Sequence, residues 1–234
     1  MLPTIESEAR RQVAEAAREL GRLGLNHGAT GNVSMRWHRG ARDGFLVTPS
    51  AMPPARIGDD DIVWLPLDEA DPLDGLIEAS AAPAVAASRK PSSEALLHRA
   101  MYQHCCAAAV VHAHAPFATT LSCLPAVREE GIPAFHYMIG MAGGDSIRCA
   151  RYQTFGTQAL ADAVVDAMRD RKACLMASHG LLAIGADLAS AIDMAVEAEY
   201  LSRVYFQTLQ VGAPVLLDKD EVSKVLEGFS TYRR

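Results

Sequence analysis

The chain has 234 residues, 28 of them acidic and 22 basic, for a formal net charge of −6 near neutral pH. Half of the residues are apolar and 21% are charged, ordinary globular usage that predicts one domain over 1–234 and excludes disordered, collagen-like and membrane-spanning classes. The negative balance and scattered basic residues argue against a nucleic-acid partner, and a charged N-terminus without a signal-peptide pattern predicts a cytoplasmic protein with no membrane attachment.

Val13, Ala16, Ala17, Leu20 and Leu23 recur at helical spacing between Arg and Glu, which predicts an amphipathic helix over 6–23. His27 to Trp37 reads as a glycine-punctuated turn entering a strand. Arg42-Asp43-Gly44 is a hairpin signal with Phe45-Leu46-Val47 as the returning strand. Pro53 and Pro54 predict a rigid loop without regular structure. Asp61 to Leu67 reads as a strand, and Asp68 to Lys90, rich in Ala, Pro and acidic residues, as a long surface excursion.

Pro91-Ser92-Ser93-Glu94 opens a helix that continues to His104, because proline and serine precede the periodic Leu96, Leu97, Ala100 and Met101. Further along, strands are expected over 107–114 and 173–177, an extended segment over 132–138, and helices over 117–123, 156–168, 189–209 and 220–229. Interleaved helices and strands with hairpin chemistry favour a three-layer α/β arrangement around a mixed or mostly antiparallel sheet. The five cysteines contain no CxxC pair; most read as buried small hydrophobes, unpaired as befits a reducing compartment.

Val111-His112-Ala113-His114 closes an apolar strand, whose two-residue repeat puts both imidazoles on one face. Such a pair serves either a divalent metal or hydrogen bonds within a core. His179, where a second apolar strand meets Gly180, is the candidate third ligand, and Glu94, at a helix start, the fourth. Three histidines and a carboxylate would close a four-coordinate Zn²⁺ shell unless substrate displaces the carboxylate. A second group, Gly31-Asn32-Val33-Ser34, Thr48-Pro49-Ser50-Ala51 and Ser92-Ser93, forms either an anion pocket of hydroxyls and orphan amides or three ordinary turns.

The series GNVS, TPS, PSSE, VVHAHAPFAT, IPAFHYMIGMAGGDSI, YQTFGT and ASHGLLAIG runs from about Arg22 to the C-terminal TYRR. In this order and spacing it resembles the class II aldolase and adducin-head family. The resemblance implies a three-layer α/β/α sandwich with a central, mostly antiparallel sheet, assembled as a homotetramer with active sites at subunit boundaries. It implies Zn²⁺ held by His112, His114, His179 and, at rest, Glu94. Gly31, Asn32, Ser50, Ala51, Ser92 and Ser93 match the family's substrate-phosphate positions, Tyr137 matches a proton donor from the neighbouring subunit, and Tyr232 a mobile C-terminal tyrosine.

The reaction implied is cleavage of a phosphorylated ketose to dihydroxyacetone phosphate and an aldehyde, through a metal-stabilised enediolate, with Glu94 as the base. A sugar-phosphate 4-epimerase, a dehydratase or decarboxylase, and a non-catalytic adducin-like scaffold are the alternatives. The Thr48-Pro49-Ser50 loop ends in Ala51, where the family usually has glycine.

Overall fold

A computed structural model describes residues 5–68 and 89–232, with the side chains of the last three of these excepted. Its centre is a seven-stranded sheet of β1 (Asn32–Arg36), β2 (Gly44–Val47), β3 (Val63–Pro66), β4 (Ala109–Ala113), β7 (Cys149–Ala150), β8 (Ala173–Met176) and β9 (Gly180–Gly185), in the order β3-β2-β1-β4-β9-β8-β7. Every pairing is antiparallel except β7 with β8. A separate two-stranded ribbon joins β5 (Ile132–Pro133) to β6 (Ser146–Ile147).

Alternate residues of the central strands enter different cores. Val111, Leu175 and Leu181 pack on one face with α1 (Glu6–Arg22), α3 (Pro116–Ser122) and α6 (Leu188–Val211), through Val13, Leu20, Leu121, Ala195 and Leu201. Val110, Cys174, Met176 and Leu182 pack on the other with α2 (Ala95–His104) and α5 (Gln158–Ala167), through Leu97, Met101, Leu160 and Val164. This is the three-layer α/β/α sandwich with a mostly antiparallel sheet that the sequence predicted. Helices cover both faces, so β4 and β8 are buried along their whole length, which is why they read as continuous apolar runs.

Several expectations need correction. Pro54 begins a 3₁₀ turn, Pro54–Arg56, because the fixed φ of proline suits the first position of such a turn. The segment 132–138 is extended only at Ile132–Pro133; Tyr137–Ala142 is a 3₁₀ turn capped by His136. The helix α4 (Pro125–Glu130) and the strand β9 were not anticipated. Of the five cysteines only Cys174 is buried, while Cys106 and Cys123 are exposed. The Asp68 to Lys90 excursion falls almost wholly outside the described residues. Helix α7 (Lys219–Tyr232) packs on the 3₁₀ turn. No helix among the described residues is long and apolar enough to cross a membrane.

Candidate metal and phosphate site

The site forms where β1, β4 and the β8–β9 turn meet the start of α2. In the β1–β4 ladder Asn32 is opposite His112 and Ser34 opposite Val110, so these four side chains face α2. His112 is fully buried. Its Nδ1 donates to the carbonyl of Leu181 at 2.8 Å, which leaves the Nε2 lone pair for the site. His114, one residue past the strand, is held by a backbone N–H bond to Asn26 Oδ1 at 2.9 Å.

His179 reaches the same point because the β8–β9 turn is tight and presses on β4. Ser178 takes a left-handed φ of 53°, and His179 N–H bonds to the Met176 carbonyl at 3.0 Å. Gly180 has no room for a side chain, since a Cβ there would stand 2.3 Å from the Ala113 carbonyl oxygen. Glu94 is the residue immediately before α2, with φ −101°.

These elements bring all four predicted ligands together. Their donor atoms lie within 4.8 Å of one another. The Nε2 atoms of His112 and His114 are 3.1 Å apart; Glu94 Oε2 is 3.1 Å from His112 Nε2, and Oε1 is 3.3 Å from His179 Nε2. A tetrahedral set at about 2.1 Å from a metal has edges of roughly 3.4 Å, so the spacing fits a divalent cation. Glu94 Oε1 is buried and accepts no hydrogen bond, an orphan acceptor that a cation would satisfy.

The electrostatics agree. Burial alone would push the Glu94 carboxyl up, but the facing His112 and His179 imidazoles and the Asn32 amide hold it well below the usual carboxylate range. Burial would lower His112, yet the Glu94 carboxylate raises it above its ordinary value. Burial, reinforced by His112, lowers His114 and His179 to about 4. Two histidines are therefore neutral and ready to ligate at physiological pH.

A cavity of about 340 Å³ opens above this cluster. Gly31, Asn32, Ser50, Ala51, Ser92 and Ser93, the six positions matched to phosphate binding, all line it, together with Glu94, His114 and His179. The two hydroxyl loops are tied to each other by a bridge between Pro49 and Pro91, with Ser50 N–H on the Lys90 carbonyl at 2.9 Å and Ser92 N–H on the Thr48 carbonyl at 3.0 Å. Ala51 takes φ 56°, the left-handed conformation that glycine adopts freely and that costs alanine about 1 kcal/mol. Its methyl group is exposed, so the loop keeps its shape without a clash. No Lys or Arg is among the cavity's lining residues.

Tyr152, Gln153 and Phe155 also line the cavity. Sequence reasoning missed them as site residues, and the YQTFGT motif was the available signal. Tyr137 does not line it: its side chain is 54% exposed and stacks on Phe229 of α7, with centroids 6.4 Å apart. Tyr232 ends α7, and its side chain lies outside the described residues.

A buried carboxylate, three converging imidazoles and a hydroxyl-lined cavity on an α/β/α sandwich describe a metal-assisted enzyme of small phosphorylated substrates. The chain belongs to the class II aldolase and adducin N-terminal domain family, whose pattern matches residues 11–206. It is 42% identical over 232 residues to the 5-methylthioribulose-1-phosphate/5-deoxyribulose-1-phosphate aldolase of Rhodospirillum rubrum, covering 99% of this chain and 95% of that one. It is 41% identical over 224 residues to the L-fuculose phosphate aldolase of Escherichia coli strain K12, covering 95% and 94%. A solved L-fuculose 1-phosphate aldolase superposes with a TM-score of 0.81 at 32% identity, covering 98% of each chain. The chain is thus a class II, metal-dependent aldolase.

Proposed function

We propose that the protein cleaves a ketose 1-phosphate, of the 5-deoxyribulose, 5-methylthioribulose or fuculose type, to dihydroxyacetone phosphate and an aldehyde, with Zn²⁺ on Glu94, His112, His114 and His179. The observation that carries this reading is the convergence of the four ligands beneath a cavity whose rim is formed by the six phosphate-matched residues. A divalent cation there supplies a Lewis acid for the ketose carbonyl and its neighbouring hydroxyl, and stabilises the negative charge that develops on them.

The chain's own residues do the rest. Gly31, Asn32, Ser50, Ala51, Ser92 and Ser93 hold the phosphate with hydroxyls and main-chain amides, so that the non-reacting end of the substrate fixes the geometry of the reacting one. In the condensation direction Glu94, ionised and buried, takes the proton from the dihydroxyacetone phosphate carbon that forms the new bond, and in cleavage it returns that proton. In the condensation direction Tyr137 of a neighbouring subunit gives a proton to the aldehyde oxygen. Its exposure on this chain supports a role in a neighbour's site, and with it a homotetramer.

Tyr152 and Phe155 make one wall of the cavity aromatic. They favour a substrate whose far end is a methyl or methylthio group over one ending in a hydroxymethyl. The test is dihydroxyacetone phosphate release, followed by coupled reduction, from 5-deoxyribulose 1-phosphate and ribulose 1-phosphate. The expected result is a kcat/KM at least about ten-fold higher for the deoxy sugar. Release of no dihydroxyacetone phosphate from any ketose 1-phosphate by the zinc-loaded protein would overturn the reading.

A further inference from the structure

Beneath Asn32 and Glu94 lies a line of buried polar side chains that the reaction as described does not use. Asn32 and Ser34 are two residues apart on β1, so both face α2. Glu94, His98 and Tyr102 follow at intervals of four, which stacks them on one side of α2. The two sets interdigitate. Tyr102 Oη is 2.6 Å from Ser34 Oγ, and Ser34 Oγ is 2.6 Å from His98 Nδ1. His98 Nε2 bonds to Asn32 Oδ1, and Asn32 Nδ2 to Glu94 Oε2 at 2.9 Å. Ser34 and His98 are fully buried, and the other three are at most 6% exposed.

The chemistry of the groups gives this line one direction. The Glu94 carboxylate only accepts, so Asn32 must turn its NH₂ toward it and its carbonyl oxygen toward His98. His98 must then donate from Nε2, and as a neutral ring it accepts at Nδ1 from the Ser34 hydroxyl. Ser34 in turn accepts from Tyr102. Burial lowers His98 to about 3, which agrees with a neutral ring. Every donor points toward Glu94, and Asn32 cannot flip without setting its oxygen against the carboxylate.

We infer that His98 is a positioning residue for the aldol reaction: by donating from Nε2 to the Asn32 carbonyl it fixes the Asn32 amide, and through it the Glu94 carboxylate. This rests on the proposed role of Glu94. A buried network that served the fold alone would have no need to end on that carboxylate.

The experiment is a double-mutant cycle of His98→Leu and Asn32→Ala in the zinc-loaded protein, with His98→Gln as the conservative variant, whose side-chain N–H can replace Nε2–H. His98→Leu is expected to lower kcat about 30- to 100-fold with KM changed less than about three-fold and metal content unchanged, the range seen when a partner that orients a ligand is lost. His98→Gln should recover at least about ten-fold of that loss. In the Asn32→Ala background His98→Leu should slow the reaction no further. Equal impairment by Leu and Gln, or additive losses in the double variant, would overturn the inference.

If His98→Leu fails to fold, as judged by its thermal melt, the cycle is run with His98→Gln. A nitrogen NMR measurement of the His98 tautomer in the wild-type protein reads the same geometry without activity: Nε2–H is expected, and Nδ1–H overturns the inference. Wild-type protein that shows this tautomer but no cleavage of any ketose 1-phosphate would fail the functional reading instead.

Discussion

In the proposed reaction Glu94 carries two duties, metal ligand and acid–base group, and substitution separates them. Glu94→Gln is expected to retain metal on the three imidazoles while kcat falls by about 10²- to 10⁴-fold, the usual worth of general acid–base catalysis; metal analysis beside the cleavage assay checks this. His179→Ala should do the reverse and lose metal affinity. Metal binding also competes with protons, and here the shifts give the sign. Burial would lower His112 but the Glu94 carboxylate raises it above its ordinary value, whereas burial lowers His114 and His179 to about 4. As pH drops, protons should therefore compete for His112 before they compete for His114 and His179, and metal affinity should fall with them. Calorimetric metal titration at a series of pH values measures the trend, and an affinity that does not fall with pH would refute the assignment. At this scale the sequence was informative where chemistry-bearing residues cluster: HAH, the histidine before Gly180 and the glutamate after two serines were all legible. His98 and Tyr102 were not, because the surrounding leucines dominate the helical pattern of α2, although their four-residue spacing from Glu94 was there to be read.

The β8–β9 hairpin and its fit to β4 are what bring His179 to the other ligands. Gly180→Ala places a methyl carbon against the Ala113 carbonyl oxygen, a backbone atom that cannot swing aside. It is expected to cost about 2–4 kcal/mol of stability and to weaken metal binding at least about ten-fold, since β9 must separate from β4. A thermal melt and a metal titration check both, and an unperturbed site would show that the turn does not set the position of His179. The helices and central strands were legible from periodicity and apolar runs because each buries a continuous face. The misses have physical causes. GLLAIG carries two glycines and only four apolar residues, and its strand character comes from pairing with β4 on one side and β8 on the other. Tyr137–Ala142 becomes a 3₁₀ turn because α7 packs over it, placing Val225 and Phe229 against Gly140, a contact no local pattern reports.

On the scale of the molecule, the arrangement of Tyr137 makes a prediction about assembly. If a site takes Glu94 from one chain and Tyr137 from another, Glu94→Gln and Tyr137→Phe homo-oligomers should each be slow, and mixed oligomers formed by dissociation and reassociation should regain activity. Mixtures as slow as their parents would place the complete site within one chain. The line from Tyr102 to Glu94 bears on how such a site moves. Two residues of a strand advance about 6.6 Å and four residues of a helix about 6.0 Å, so β1 and α2 act as two scales of a vernier whose marks coincide over only a few steps. The marks agree at Asn32 and Ser34, and at the next step Arg36 reaches past the Tyr102 ring to the Tyr102 carbonyl at 2.6 Å. A slide of α2 along β1 would take every mark out of coincidence at once. The helix is thereby fixed to the sheet, so in the proposed reaction any movement of Glu94 between metal and substrate is a turn about its own side-chain bonds over a still backbone.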